Sequence, residues 1–118
     1  MLALVFITIP IQAHSQAEIK FLGKRVIEYG TIKEGKKLNI SVPFENIGDE
    51  TLAIYKIEKT CNCTNVSLKK KLYQKNERGK VLISINTSGK EGTQTIVVQL
   101  LTNGKRDRYI IRVDFTVE

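Results

Sequence analysis

Residues 109–118 read YIIRVDFTVE, and this stretch decides the fold class. Polar side chains fill alternate positions from Arg112 onward, and the apolar positions between and before them are Tyr109, Ile111, Val113, Phe115 and Val117. Successive residues of a β-strand point to opposite faces, so this pattern places one set of side chains against a core and the other in water. The stretch therefore predicts a half-buried β-strand at the end of this sequence.

The same alternation recurs upstream. One segment carries apolar residues at Leu38, Ile40, Val42 and Phe44, and a second carries them at Val81, Ile83 and Ile85. Pro43 has no backbone N–H to donate, so the first segment is predicted to be an edge strand or to carry a bulge. A denser apolar run occupies 96–101, interrupted only by Gln99, and is typical of a central strand.

Glycine-containing segments mark the turns between these strands. Asn103-Gly104 precedes the last strand, and this dipeptide tolerates positive φ at both central positions of a tight two-residue hairpin turn. Further turns are predicted at Gly30 and at 34–35, 46–49 and 89–92. A length of 118 residues suits one domain. The pattern as a whole predicts an all-β antiparallel β-sandwich of about seven strands.

The first eleven residues are apolar apart from Thr8 and Pro10. Ala13 and Ser15 provide the small residues that signal peptidase accepts before a cleavage site. The apolar run is about half the roughly 20 residues that a membrane-spanning helix needs. Residues 1–15 are therefore predicted to be a signal peptide and 16–118 the mature domain, in the periplasm or outside the cell. The alternative is that the run forms a buried first strand.

The chain is basic, with 19 Lys and Arg against 12 Asp and Glu and a formal net charge of +7. The densest positive stretch begins with Lys69-Lys70-Lys71, and its ordinary interpretation is a solvated loop. A nucleic-acid site would also need aromatic stacking platforms, and only Tyr73 lies nearby, so no nucleic-acid partner is predicted. Adhesion to an anionic envelope surface is a weaker hypothesis.

Cys61 and Cys63 are the chemically distinctive feature of the sequence. Side chains two residues apart on an extended strand share a face, with Cβ atoms roughly 6–7 Å apart, whereas a disulfide needs about 3.8 Å. A bridge therefore requires a sharp turn at Asn62. Three interpretations stay open: packing or a structural bridge, thiol redox chemistry, or a metal site in which the thiolates bind Cu(I) or supply half of a zinc site.

Several motifs resemble a known family. They are YGTI at 29–32, FENIGDETL at 44–52, CNCT at 61–64 and GKEG at 89–92. These residues resemble the bacterial domain of unknown function 1573, which is exported, common in Bacteroidetes and marked by a Cys-Gly-Cys-Thr signature. The resemblance covers about 21–117 and implies an immunoglobulin-like sandwich, related to ciliary and major-sperm-protein-type adaptor domains, without an established role. Asn62 departs from the family's usual glycine.

Signatures of catalysis are missing from the sequence. It contains no glycine-rich phosphate loop, nucleophile elbow or metalloprotease helix, and His14, its one histidine, lies in the predicted signal peptide. We therefore expect a non-catalytic exported module without a cofactor, which binds a protein partner through loops or an open edge strand. Its oligomeric state is not predicted. The alternative function is thiol redox or copper handling through Cys61 and Cys63.

Overall fold

The structure is a computed structural model that describes Leu4, Val5 and residues 16–118. The rest of the predicted signal peptide lies outside the described residues. The described residues contain nine strands, in chain order β1 Ile19–Phe21, β2 Val26–Ile32, β3 Lys37–Asn46, β4 Leu52–Lys59, β5 Thr64–Leu68, β6 Leu72–Tyr73, β7 Arg78–Asn86, β8 Gly92–Thr102 and β9 Arg108–Val117. No helix in the described part of the chain is long and apolar enough to cross a membrane.

The strands form two sheets. One has the order β1-β3-β7-β5 and the other the order β2-β9-β8-β4-β6. The predicted all-β sandwich is confirmed, and β8 is a central strand as its dense apolar run indicates. The count of about seven is too low, because the short strands β1 and β6 have too few residues to show alternation.

One pairing departs from the predicted antiparallel arrangement, because β2 pairs with β9 in parallel. Residues 22–25 carry the chain from the first sheet to the second without reversing its direction, so β2 continues the course of β1 and meets β9 in the same orientation. Gly30, predicted to mark a turn, instead lies within β2. Its φ of 96° accompanies a shift in the β2–β9 register between Glu28 and Gly30.

The core lies between the sheets and is built from the alternating apolar positions. The predicted residues that are buried there are Leu38, Val42, Phe44, Val81, Ile83, Ile85, Tyr109, Ile111, Val113, Phe115 and Val117. Ile40, at the side of the sandwich, is only partly buried. Burial of this apolar surface is the main stabilising contribution to the fold.

The β8–β9 hairpin is confirmed, but the prediction of a two-residue turn is wrong. The strands end at Thr102 and resume at Arg108, and neither Asn103 nor Gly104 has positive φ. The side chain of Asn103 instead bonds to the backbone of the neighbouring segment, accepting from the Ala53 N–H at 2.8 Å and donating to the Thr51 carbonyl at 3.0 Å. These tertiary bonds take the place of the local turn.

Pro43 lies at a local edge within an interior strand. β3 is flanked by β1 and β7, so the prediction of an edge strand is wrong for β3 as a whole. The Leu22 N–H, just past the end of β1, donates to the Pro43 carbonyl at 2.9 Å. The N–H and C=O of one strand residue point to the same side, so the missing N–H of Pro43 faces the end of β1 and not β7.

Candidate functional site

Cys61 and Cys63 lie in the connection between β4 and β5. Their sulfur atoms are joined as a disulfide, and their Cα atoms are 5.1 Å apart. The Thr64 N–H donates to the Cys61 carbonyl at 3.2 Å, which closes a turn around Asn62 where the sequence predicts one. Asn62 does not have positive φ, so this turn does not require the glycine that the family usually carries there.

The two sulfur atoms have different surroundings. The Cys63 N–H points at Sγ of Cys61, 3.1 Å away. Sγ of Cys63 instead lies 3.5 Å from the Thr64 hydroxyl. Both cysteines are partly buried and pack against the edge of the core.

A cleft of about 400 Å³ opens beside Cys63. Its charged lining residues are Lys37 and Lys59, and no carboxylate lines it. The Lys59 ammonium donates to the Thr64 carbonyl, which fixes this positive charge next to the turn. The disulfide thus borders an electropositive, partly exposed pocket, the kind of environment in which protein thiols are reactive.

The lysines of this cleft were not predicted from the sequence. Lys59 lies two residues before Cys61, so its position in the chain is a usable signal. Lys37 reaches the site only through strand pairing: it is the partner of Asn86 in the β3–β7 ladder, and the Asn86 N–H donates to the Cys63 carbonyl at 2.9 Å. Pairing between strands that are distant in the chain cannot be predicted from the residues on either side of Lys37.

The metal interpretation of Cys61 and Cys63 stays a prediction for the reduced pair, because bonded sulfurs have no thiolate to offer. Within the part of the chain that the structure describes, no group of three or more His, Cys, Asp or Glu side chains is arranged to hold a metal ion. A complete zinc site would therefore need donors besides these two sulfurs, from carboxylates or a second molecule, whereas two thiolates can bind Cu(I).

β5 is a free edge of the first sheet. Its five residues include no charge and no proline, and they pair with β7 without a register shift. The other edges are blunted as natural sheets commonly are: β1 has three residues, β6 has two, and β2 carries the irregularity at Gly30. The sequence predicted an open edge strand without identifying which one.

The backbone of β5 directs polar groups outward at two positions. Because the Asn86 N–H donates to the Cys63 carbonyl, the backbone polar groups of Cys63 point toward β7. Backbone N–H and C=O groups alternate in direction along a strand, so those of Asn65 and Ser67 also point toward β7. The N–H and C=O groups of Val66 and Leu68 then point away from it. Within the part of the chain that the structure describes, no strand pairs with these groups, which form a short hydrogen-bonding row.

The lysine run follows β5 directly. Lys70 forms an ion pair with Glu77, and the hydrogen bond from Lys70 holds the pKa of Glu77 below its usual value. The Lys70 ammonium also stands 5.4 Å from the centroid of the Tyr73 ring. Tyr73 itself is buried, with its ring packed edge-on against Phe44, so it offers no exposed face on which a base could stack.

Several solved structures resemble this fold. A protein of unknown function from Porphyromonas gingivalis W83 superposes with a TM-score of 0.75 at 10% identity, over 92% of this chain and 51% of that one. The chain therefore spans about half the length of that protein. The ASH/PapD-like domain 7 of human CEP192 gives a TM-score of 0.61 at 12% identity, covering 100% and 96% of the two chains. WR4, an MSP family member from C. elegans, gives 0.53 at 15% identity, covering 89% and 100%.

These likenesses establish the fold alone. No curated protein matches the sequence. Residues 19–117 do match a family model, and the matched segment includes every strand as well as the Cys61–Cys63 turn. The chain therefore belongs to the family described as Protein of unknown function (DUF1573).

Proposed function

We propose that this chain is an exported, non-catalytic binding module whose free edge strand β5 pairs with an extended segment of a partner protein. The observation that carries the proposal is the outward row of N–H and C=O groups at Val66 and Leu68 on an edge without charge, proline or bulge. Addition of a strand to such an edge is a common mode of peptide recognition.

The flanking residues define the chemistry of the partner segment. Val66 and Leu68 are partly buried at the side of the sandwich, so apolar side chains of an added strand would pack beside them. Asn65 and Ser67 are exposed and neutral, which suits polar side chains on the other face of the added strand. Lys69 and Lys71 extend beyond the strand and favour an acidic residue at the end of the partner segment.

Export is part of the proposal because of how the domain begins. The apolar run at 1–11 precedes small residues at Ala13 and Ser15, and the residues that follow, Gln16 and Ala17, are hydrogen-bonded into the domain. The absence of catalytic motifs in the sequence supports a role in binding over a role in catalysis.

The test is to remove one outward N–H without altering the β7 ladder. Val66→Pro does this, and Val66→Ala is the matched control, which shortens the side chain but keeps the N–H. Tagged forms of both, with the native protein, are used to capture proteins from the envelope of the producing bacterium, after circular dichroism verifies the fold. We expect a partner retained by the native protein and Val66→Ala and lost from Val66→Pro.

Hydrogen exchange of the complex provides the structural readout. The amides of Val66 and Leu68 should exchange more slowly when the partner is bound, because an added strand takes their hydrogen bonds. Equal capture by the proline and alanine variants, or unchanged exchange at both amides, would reject β5 as the binding edge.

A further inference from the structure

We infer that the Cys61–Cys63 disulfide is a thiol–disulfide exchange site, at which a partner dithiol attacks Sγ of Cys63 and Cys61 leaves as a thiolate. The inference does not depend on the β5 edge. It rests on the different surroundings of the two sulfurs and on the charge of the cleft beside them.

Which sulfur of the disulfide is attacked depends on which one an incoming thiolate can reach. Cys63 lines the cleft beside the turn, whereas Cys61 does not. A thiolate that enters the cleft therefore approaches the bridge from the side of Cys63. Attack along this route breaks the bond to Cys61, because the electron pair of the sulfur–sulfur bond must leave on the sulfur that is not attacked.

The leaving sulfur is already provided with a hydrogen-bond donor. The Cys63 N–H lies 3.1 Å from Sγ of Cys61, and a backbone N–H directed at a sulfur favours its anionic form. A thiol whose anion is stabilised leaves faster in exchange. The backbone N–H thus stabilises Cys61 as the leaving group, whereas the group beside Sγ of Cys63 is a side-chain hydroxyl at the longer distance of 3.5 Å.

The two lysines favour the approach of the attacking thiolate. Lys37 and Lys59 supply positive charge to the cleft, and no carboxylate on its lining offsets them. Positive charge in a partly enclosed cleft raises the local concentration of anions and their rate of encounter. It also favours the thiolate form of any cysteine brought into the cleft.

A purely structural role explains the bridge less well. The disulfide joins residues that are two apart in the sequence, so it closes a very small ring and removes little freedom from the unfolded chain. Strand β4, before the bridge, already pairs with β8, and strand β5, after the bridge, already pairs with β7. The cross-link therefore adds little restraint that the two sheets do not already provide.

Reduction of the bridge takes two exchange steps, in which atoms and electrons are conserved. A partner thiolate bonds to Sγ of Cys63 and forms a mixed disulfide, while Cys61 takes the electron pair and a proton from solvent. The second partner thiol loses its proton to solvent and attacks the partner sulfur of the mixed disulfide, which releases Cys63 as a thiolate. The partner dithiol is oxidised to a disulfide, and the Cys61–Cys63 pair is reduced by two electrons.

Reduced glutathione is the probe for the test, because it is a simple anionic thiol. The rate of reduction of the purified oxidised protein is measured at pH 7 and low salt by alkylation and intact mass. We compare native protein with Lys59→Gln, Lys37→Gln and, as a control of equal charge change, Lys80→Gln, an exposed position outside the cleft. We expect each cleft variant to react about threefold or more slowly than the control, with the difference reduced in 0.5 M salt, where screening is strong.

The mixed disulfide identifies the attacked sulfur. Quenching the reaction early with acid and mapping the glutathione adduct by peptide mass spectrometry should place it on Cys63. Three results would overturn the inference: an adduct confined to Cys61, a disulfide that resists excess glutathione in the folded protein, or cleft variants that react as fast as Lys80→Gln.

Discussion

The side-chain amide of Asn46 donates a hydrogen bond to the backbone carbonyl of Tyr73, 3.0 Å away and 27 residues along the chain. The same Nδ2 donates to the Glu50 carbonyl at 2.9 Å. Oδ1 of Asn46 accepts from the N–H groups of Glu18 at 3.2 Å and Gly48 at 3.0 Å. One completely buried side chain therefore bonds the start of the domain, its own turn and the end of β6.

Replacing Asn46 with alanine should destabilise the protein strongly. The change leaves four backbone groups without their side-chain partner, and a buried polar group that loses its partner costs about 1–3 kcal/mol. We expect the free energy of unfolding in urea to fall by about 3–5 kcal/mol. Asn39→Ala, at an exposed position of the same strand, is the control and should stay within about 0.5 kcal/mol of the native protein. Similar unfolding midpoints for the two variants would contradict the role assigned to Asn46.

The strands could be predicted from the sequence because alternation directly reports which face of a strand is buried. Val81, Ile83 and Ile85 are buried for the reason that their spacing indicates. Asn46 could be predicted only as part of a turn. Its partners at Glu18 and Tyr73 are distant in the chain, and nothing in the local residue types specifies that they meet it.

The Asn103-Gly104 segment shows how tertiary contacts override a local preference. The dipeptide suits a tight turn, yet Asn103 bonds to the segment around Ala53, and Gly104 lies against the start of the domain. A Cβ at position 104 would stand 2.7 Å from the Ala17 carbonyl oxygen, closer than real contacts allow. Glycine is therefore required here for close approach, which residue type alone does not distinguish from positive φ.

The candidate site could be predicted only in part, because local geometry follows from the sequence and tertiary contacts do not. The spacing of Cys61 and Cys63 indicates that a bridge would need a turn at Asn62, because that argument uses only local geometry. The β5 edge and the contribution of Lys37 depend on which strands are neighbours, and the order β1-β3-β7-β5 sets strands side by side that are not consecutive in the chain. Sequence alternation contains no such information.

The mature protein is predicted to begin at Gln16. The Asp49 N–H donates to the Gln16 carbonyl at 3.1 Å, and the Lys105 N–H donates to the Ala17 carbonyl at 2.7 Å. The two residues that follow Ser15, the last residue of the predicted signal peptide, are thus hydrogen-bonded into the domain. N-terminal sequencing of the protein from the envelope fraction checks this prediction.

Ala13→Asp provides the matched test of processing. A charged side chain three residues before the cut should block signal peptidase, so the uncleaved form should accumulate, whereas Gln12→Asp at the neighbouring position should be processed normally. A native protein that retains residues 1–15 and stays in the cytosol would show that the signal-peptide prediction is wrong.

Tyr73→Phe should leave the protein as stable as the native form or more stable. Its hydroxyl is buried without a hydrogen-bond partner among the described residues. Removing an unsatisfied buried hydroxyl relieves a desolvation cost of about 1–3 kcal/mol, part of which should appear as a gain in the free energy of unfolding. Tyr109→Phe is the control, because its hydroxyl accepts from the Ile19 N–H at 3.2 Å, and its loss should destabilise by about 1 kcal/mol.

The pH dependence of the free energy of unfolding distinguishes the effect of the Tyr73 hydroxyl from general effects of the substitution on packing. Burial raises the pKa of Tyr73 above its ordinary value of 10.0, so the native state holds this proton more tightly than the unfolded chain. Above about pH 10 the unfolded chain releases the proton first, and the free energy of unfolding of the native protein should fall as the pH rises. Tyr73→Phe lacks this contribution, so its advantage over the native protein should widen between pH 9 and about 11. A constant difference across that range, or a loss of stability equal to that of Tyr109→Phe, would show that the Tyr73 hydroxyl is satisfied in solution.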